Sequence, residues 1–231
     1  MIDSKDWFFD YLKNNIPFCY VRFNDGEMMG IDRAGSIVAR GDQFVDKSLS
    51  VALEEALKHR QKNYFVGIPC SKCYPKFNTL AKDLIGDYEL TTSAVLLTNK
   101  NWKYFYDNLP ASIVGRNVIW ISGKDQDPKK LEEYGLNIKK TLRVENKNSW
   151  NYYKPLLNKI PDFIDPGDIV CISLGPTARI LCRNLFEKFP ETTFVDMGSL
   201  LDPVTRDVWF GAHKGWEETG FNLVNRCAEC N

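Results

Sequence analysis

The chain has 231 residues, of which 44% are hydrophobic, a content sufficient for a domain with a sizeable core. Its 30 basic and 30 acidic residues balance, so no overall field would attract nucleic acid or an anionic membrane. No apolar run approaches the roughly 20 residues that span a bilayer, and the first residues carry acids with no apolar signal segment. We therefore expect a cytoplasmic protein, which would reach a membrane only through a partner or an acceptor.

The hydrophobic pattern alternates between predicted helices and predicted strands along the chain. Amphipathic spacing indicates helices, whereas short apolar or β-branched runs indicate strands. The predicted helices cover residues 3–14 (with Asp3 or Ser4 as the cap), 48–59, 77–84, 102–108, 149–163 (which Pro155 kinks or divides) and 178–189. The predicted strands cover residues 19–23, 64–68, 94–98, 117–122, 142–145, 168–173 and 193–197.

This order predicts the fold class. Strands separated by helices favour an α/β fold with a doubly wound, mainly parallel sheet and helices on both faces. No internal repeat, low-complexity tract or linker divides the sequence. We therefore expect residues 1–231 to form a single domain.

An Asp-x-Glu pair follows the first predicted strand. Asp25 and Glu27 come directly after it, where open α/β sheets place their ligands. Gly26 would let the backbone turn sharply, so that both carboxylates face one small volume. Two such carboxylates repel each other unless a proton or cation lies between them, and Mn²⁺ or Mg²⁺ with open positions for phosphate oxygens would suit the pair. The alternative is a surface turn, because Asp-Gly is a common turn dipeptide.

A second candidate site lies between a predicted strand and a predicted helix. Ser173, Gly175, Pro176 and Thr177 occupy this loop, and the following helix amino terminus offers free backbone N–H groups to an anion. Ser173 and Thr177 add hydroxyl groups, and Thr177 is expected to cap the helix. The loop has neither a Walker A nor a GxGxxG sequence. An ordinary strand-to-helix loop is the alternative.

Two CxxC pairs suggest a metal site of a different kind. Cys70 with Cys73, and Cys227 with Cys230, could supply the four thiolates of a tetrahedral structural zinc site. Such a site would tie the carboxyl-terminal tail, about residues 211–231, to a loop after the second strand. Disulfides, which a reducing cytosol disfavours, and four unpaired thiols are the alternatives.

The remaining candidates are ionisable groups near the predicted sites. His213 lies in a glycine- and aromatic-rich stretch after the last strand, and it competes with Asp202 and Asp207 for the role of a catalytic base. Arg22 could neutralise a donor diphosphate or pair with a nearby acid. Arg179, in the first turn after the Gly-Pro-Thr loop, has the same two interpretations.

Three segments, taken together, resemble the GT-D fold type of glycosyltransferase. They are residues 22–27 (RFNDGE), 173–177 (SLGPT) and 195–198 (VDMG), and residues 144–150 (VENKNSW) are also similar to the family. The resemblance implies a Rossmann-like core and a nucleotide-sugar donor, with a UDP-sugar expected. It also implies that the Asp-x-Glu motif engages a divalent metal and that transfer inverts the anomeric centre.

The sequence thus predicts a metal-dependent enzyme that moves a sugar, expected to be a hexose, to a glycan or glycoconjugate acceptor. Asp25 and Glu27 would hold Mn²⁺ or Mg²⁺, and His213 or Asp202 would serve as the base. The residues expected around the donor phosphate or ribose are Arg22, Ser173, Gly175, Pro176, Thr177 and Asp196. The alternatives are a non-catalytic nucleotide-sugar or phosphate-binding module and a metal-dependent phosphohydrolase.

Overall fold

The computed structural model describes residues 2, 5–34, 37–39, 43–98 and 101–206. Within these residues the chain forms one seven-stranded sheet and a separate two-stranded hairpin. The strands are β1 (Cys19–Arg22), β2 (Ile37–Ala39), β3 (Gln43–Val45), β4 (Tyr64–Ile68), β5 (Thr91–Ser93), β6 (Val118–Gly123), β7 (Ile138–Val144), β8 (Ile169–Ser173) and β9 (Thr193–Asp196). The helices are α1 (Asp6–Lys13), α2 (Asp25–Asp32), α3 (Lys47–Lys58), α4 (Pro75–Ile85), α5 (Trp102–Ser112), α6 (Pro128–Glu133), α7 (Tyr153–Lys159), α8 (Thr177–Lys188) and α9 (Asp202–Thr205). Two 3₁₀ turns flank α7, at Ser149–Tyr152 and Ile160–Phe163.

The large sheet is parallel throughout the described strands. Its order is β5-β4-β1-β9-β8-β6-β7, and each neighbouring pair runs in the same direction. The strands β1, β4, β6 and β9 are buried along their whole length, as expected for strands covered by helices on both faces. The predicted α/β, doubly wound fold is therefore confirmed.

Two hydrophobic cores lie on opposite faces of the sheet. Residues of α2, α3, α4, α7 and α8 build one core, and residues of α1, α5, α6 and the segment leading into α9 build the other. The connections that follow β1 and β8 therefore lie on one face, whereas those that follow β6 and β9 lie on the opposite face. Crevices open between such neighbours at the carboxyl ends of the strands, where α/β proteins bind ligands.

One predicted strand was wrong. Residues 94–98 form turns rather than a strand, and β5 lies just before them. The chain leaves the sheet once Ala94 has donated its N–H to the Ile68 carbonyl, at 2.8 Å, and Leu96 N–H then turns back to the Ser93 carbonyl, at 3.1 Å. Leu96 and Leu97 are fully buried, so the apolar run reflects burial and not a strand.

Other boundaries shifted for identifiable reasons. The predicted strand 142–145 is the end of the longer β7, whose lysines at 139 and 140 obscured the apolar pattern at this sheet edge. The predicted helix 149–163 is divided into a 3₁₀ turn, α7 and a second 3₁₀ turn. Pro155 lies in the first turn of α7, where a missing N–H costs nothing. The predicted caps Asp3 and Ser4 fall outside the described residues.

Three helices and one hairpin were not predicted from the sequence, namely α2, α6, α9 and the β2–β3 hairpin. Across the described part of the chain, every helix is too short or too polar to span a bilayer.

Candidate functional site

A group of four charged residues, the buried charge cluster, lies at the carboxyl edge of the sheet. It consists of Arg22, Glu27, Arg179 and Asp196, each 9% exposed or less. Asp196 ends β9 and is fully buried; its Oδ2 accepts the backbone N–H of Arg22 at 3.1 Å and lies 3.0 Å from Arg179 Nε. Its Oδ1 accepts the N–H of Gly198 at 3.1 Å. Burial raises the pKa of Asp196, and the positive charges of Arg179 and Arg22 oppose that rise.

The two arginines of this cluster bind main-chain carbonyls as well as carboxylates. Arg22 donates from Nε to the Asp196 carbonyl at 3.2 Å and from Nη2 to the Met197 carbonyl at 2.8 Å. Arg179 donates from Nε to the Arg22 carbonyl at 2.6 Å and from Nη1 to the Gly175 carbonyl. Burial lowers the pKa of Arg179, but Asp196 and Glu27 together raise it above its ordinary value, so the side chain stays charged. Both arginines therefore act as ion-pair partners that join β1, β9 and α8.

Gly198 makes this packing sterically feasible. Its φ is +51°, in the left-handed region that glycine adopts at low cost. A Cβ atom at this position would lie 2.1 Å from Nη2 of Arg22.

The Asp-x-Glu pair opens α2, with Asp25 in its first position and Glu27 in its third. Glu27 Oε2 accepts the backbone N–H of Asn24 at 3.0 Å, as in a capping box. Glu27 Oε1 lies 3.2 Å from Arg179 Nη2. Both carboxylate oxygens of Glu27 are thus engaged, whereas the Asp25 side chain is partly exposed and has no hydrogen-bond or ion-pair partner among the described residues.

The expected sharp turn at Gly26 was wrong, because Gly26 lies inside the first turn of α2. Side chains two residues apart on a helix do not face each other, so Asp25 and Glu27 do not share one small volume. Nowhere in the described ranges do three His, Cys, Asp or Glu side chains form a metal-binding group. One accessible carboxylate is nevertheless enough for a Mg²⁺-like ion that takes its other ligands from phosphate and water. Asp25 fits that role, and Glu27 would first have to release Arg179.

The Gly-Pro-Thr loop has a different cap from the expected one. Pro176 is the N-cap of α8, Thr177 is the first helical residue, and no side chain caps the helix. Thr177 is buried, with its hydroxyl 2.8 Å from that of Ser149, which also donates to the Leu174 carbonyl. Gly175 has a φ of +52°. The expected capping by Thr177 was therefore wrong, but the first turn of α8 remains without a side-chain cap.

A second group, the acid–amide cluster, joins the loops after β6, β8 and β9. It consists of Gln126, Ser173, Asp202 and Arg206. The Gln126 amide donates from Nε2 to Asp202 Oδ1 at 2.8 Å and to Ser173 Oγ at 3.0 Å. Ser173 Oγ donates to the Gly198 carbonyl, and Arg206 Nε lies 3.2 Å from Asp202 Oδ1.

The acid of this cluster has an unusual pKa. Burial raises the pKa of Asp202 to about 7, while the hydrogen bond from Gln126 and the charge of Arg22 oppose the rise. An acid that ionises near neutral pH is suited to general acid–base catalysis. This is a property that the sequence position of Asp202 did not reveal.

Two residues at this edge were not predicted from the sequence. Gln126 follows the strongly apolar strand β6, and its position just past the end of a strand could have marked it as a candidate site residue. Ser149 lies inside the segment 144–150 that resembled the glycosyltransferase family, although no role was assigned to it.

The zinc prediction remains untested. Cys70 is half-buried and Cys73 is exposed, and both lie on the turn between β4 and α4. The candidate residues outside the described part of the chain are Asp207, His213, Cys227 and Cys230, together with the tail 211–231.

The fold is similar to that of two solved structures. One is of the domain of unknown function 1792, which is described as having a distinct glycosyltransferase fold. The other is a selenomethionine-substituted structure of that domain. Each has a TM-score of 0.68 and 17% sequence identity, and each match covers 96% of this chain and 82% of the other. The sequence matches no protein-family model and no curated protein. The predicted glycosyltransferase fold is thereby confirmed.

We predict that Glu27→Gln lowers the free energy of unfolding by about 1–3 kcal/mol, because it leaves Arg179 buried with less compensating charge. Urea unfolding followed by circular dichroism measures this change. Glu54→Gln is the control, since the Glu54 side chain is on the exposed surface of α3 and pairs with Lys58. Equal stability of the two variants would show that the Glu27–Arg179 pair contributes nothing.

We also predict a pH effect from Asp202. An acid whose pKa is higher in the folded than in the unfolded protein binds its proton more tightly when folded, so the free energy of unfolding falls as pH rises. For Asp202 this fall extends from about pH 4 to about pH 7, at up to about 1.4 kcal/mol per pH unit. Over this pH range, the free energy of unfolding should fall less with rising pH in Asp202→Asn than in wild type. Asp83→Asn, on the exposed side of α4, should keep the wild-type slope; identical slopes in all three proteins would contradict the prediction.

Proposed function

We propose that the protein is a metal-dependent glycosyltransferase that transfers a sugar from a nucleoside-diphosphate sugar to a glycan or glycoconjugate acceptor. The observation that carries this proposal is the similarity, over 96% of the chain, to a domain described as having a glycosyltransferase fold. The arrangement of an accessible carboxylate, an uncapped helix terminus and a near-neutral acid at one sheet edge supports it.

In this proposal the donor diphosphate binds between α2 and the first turn of α8. Asp25 is the carboxylate that would hold Mn²⁺ or Mg²⁺, because it alone of the Asp-x-Glu pair has unengaged oxygens. The metal, when bound, would stabilise negative charge on the departing nucleoside diphosphate. Apart from that of Ala178, which donates to the Gly175 carbonyl at 3.1 Å, the N–H groups of the first turn of α8 would add donors for phosphate oxygens. Glu27 would act indirectly, by holding Arg179 and the start of α2 in place.

The acceptor hydroxyl needs a base if the sugar is transferred with inversion. Asp202 is suited to this role because it ionises near neutral pH at the same edge of the sheet. Its carboxylate would take the hydroxyl proton while the acceptor oxygen attacks the anomeric carbon. His213 remains the other candidate. A UDP-hexose is the proposed donor.

The direct test is turnover of a panel of nucleoside-diphosphate sugars with Mn²⁺, Mg²⁺ or EDTA and a mixture of oligosaccharide acceptors. We expect one donor to raise the thermal stability in the presence of metal, since a ligand stabilises the state that binds it. We also expect transfer of the sugar from that same donor. Binding without turnover would favour a binding module, and phosphate release from nucleotides without transfer would favour a phosphohydrolase.

We predict that Asp25→Asn lowers sugar transfer by about 10²-fold, the scale of losing one strong electrostatic stabiliser. The free energy of unfolding should change little, because Asp25 is partly exposed. Initial rates over a range of metal concentrations provide the measurement. Asp32→Asn, at the far end of α2 and paired with Lys76, should transfer like wild type. Wild-type turnover by Asp25→Asn, without dependence on added metal, would rule out the metal assignment.

We further propose a structural zinc ion bound by Cys70, Cys73, Cys227 and Cys230. Protein purified without an affinity tag should contain about one zinc ion per chain, the content of a four-thiolate site. Elemental analysis should find this zinc in Cys171→Ala and lose it in the Cys227→Ser, Cys230→Ser double variant. Mild EDTA should stop transfer before it removes the zinc, because thiolates select zinc over Mn²⁺ or Mg²⁺. A wild-type zinc content near zero would refute the site.

A further inference from the structure

The hydrogen bonds of the acid–amide cluster have a defined direction. A serine hydroxyl has one proton to donate, and that of Ser173 goes to the Gly198 carbonyl. Ser173 Oγ must therefore accept from Gln126, which requires the NH₂ group and not the carbonyl oxygen of the amide to face it. The same NH₂ group then presents its second proton to Asp202 Oδ1, at 2.8 Å. The orientation of the Gln126 amide thus follows from the network.

The loop that carries Gln126 is held on several sides. Arg143 Nη1 lies 3.4 Å from the carbonyls of both Lys124 and Gln126. Asp125 donates its N–H to the Asn146 side chain at 3.3 Å and pairs through its carboxylate with Arg206. Gln126 itself is 1% exposed. Its amide is therefore placed before any substrate arrives.

We propose that Gln126 is a positioning residue, whose amide orients the Asp202 carboxylate and stabilises its ionised form. The catalytic meaning of this inference rests on the proposed function, in which Asp202 is the base. The orientation of the Asp202 carboxylate follows from its contacts alone.

The charged groups around Asp202 do not replace the hydrogen bond from Gln126 in stabilising its ionised form. Arg206, at the end of α9, lies close to Asp202, but it also binds Asp125, which offsets part of its charge. Arg22, from β1, acts through its charge. From α6, which packs against α9, Asp127 caps its own helix by accepting the N–H of Lys129 at 3.0 Å. Loss of the Gln126 donor should consequently raise the pKa of Asp202, because a hydrogen bond to the charged form favours that form.

The test is a ¹³C NMR titration of the Asp202 carboxyl in metal-free protein, assigned with Asp202→Asn. Gln126→Met keeps the side-chain length but removes the donor, and we expect it to raise the midpoint by about one pH unit, the scale of one hydrogen bond to a charge. Thr205→Val is the matched control: it removes a buried hydroxyl of α9 that bonds the Leu201 carbonyl, and it should leave the midpoint unchanged. If Gln126→Met does not fold, Gln126→Asn is titrated instead, because the shorter amide withdraws the donor and retains polarity.

An unchanged midpoint in the folded Gln126 variant, or an equal shift in Thr205→Val, would overturn the positioning role. Where transfer is measured, the acidic limb of the kcat profile should move with the titration midpoint. A shifted midpoint in a protein that transfers no sugar would leave the positioning of Asp202 intact and refute the proposed function. Sugar transfer together with an unshifted midpoint would refute the positioning role of Gln126 and leave the proposed function intact.

Discussion

The carboxyl edge of the sheet depends on one fully buried carboxylate, that of Asp196. It connects β9 to β1 through the N–H of Arg22, to α8 through Arg179, and to the turn after β9 through the N–H of Gly198. Removing a carboxylate and two guanidinium groups from water costs several kcal/mol per ion, and such a group persists only when its members satisfy one another. The loops that carry the candidate site are therefore held as a unit, and changing one member should disturb them all.

The two clusters contribute in different ways. In the buried charge cluster, carboxylate and carbonyl oxygens accept hydrogen bonds from the arginine N–H groups. The cluster is therefore suited to holding β1, β9 and α8 in place and not to binding a ligand. Asp25 lies near Glu27 in α2, and its side chain is partly exposed. In the acid–amide cluster, burial raises the pKa of Asp202 to about 7, and the hydrogen bond from Gln126 and the charge of Arg22 oppose that rise. A rigid support beside an acid with a near-neutral pKa is the arrangement that a pre-organised functional site requires.

The sequence predicted those parts of the fold in which the local pattern and the tertiary environment agree. The strand 64–68 was placed without error because it is apolar and buried along its length, and the helix 48–59 was placed within one residue. The strand at 94–98 failed because buried turns can be as apolar as strands. The interpretation of Glu27 as a metal ligand did not anticipate Arg179, which lies far along the chain. Gln126 was missed for a similar reason, since only the folded sheet brings Ser173 and Asp202 to it.

We propose that the donor binds at the carboxyl edge of the sheet, and backbone amide NMR shifts during a titration with the active nucleotide sugar and Mg²⁺ test this most directly. Because the strands are parallel, the two edges carry different loops of the same protein. We expect the largest changes at residues 24–27, 175–179 and 197–199. Changes confined to the opposite edge, at residues 15–18, 115–117 and 165–168, would contradict it.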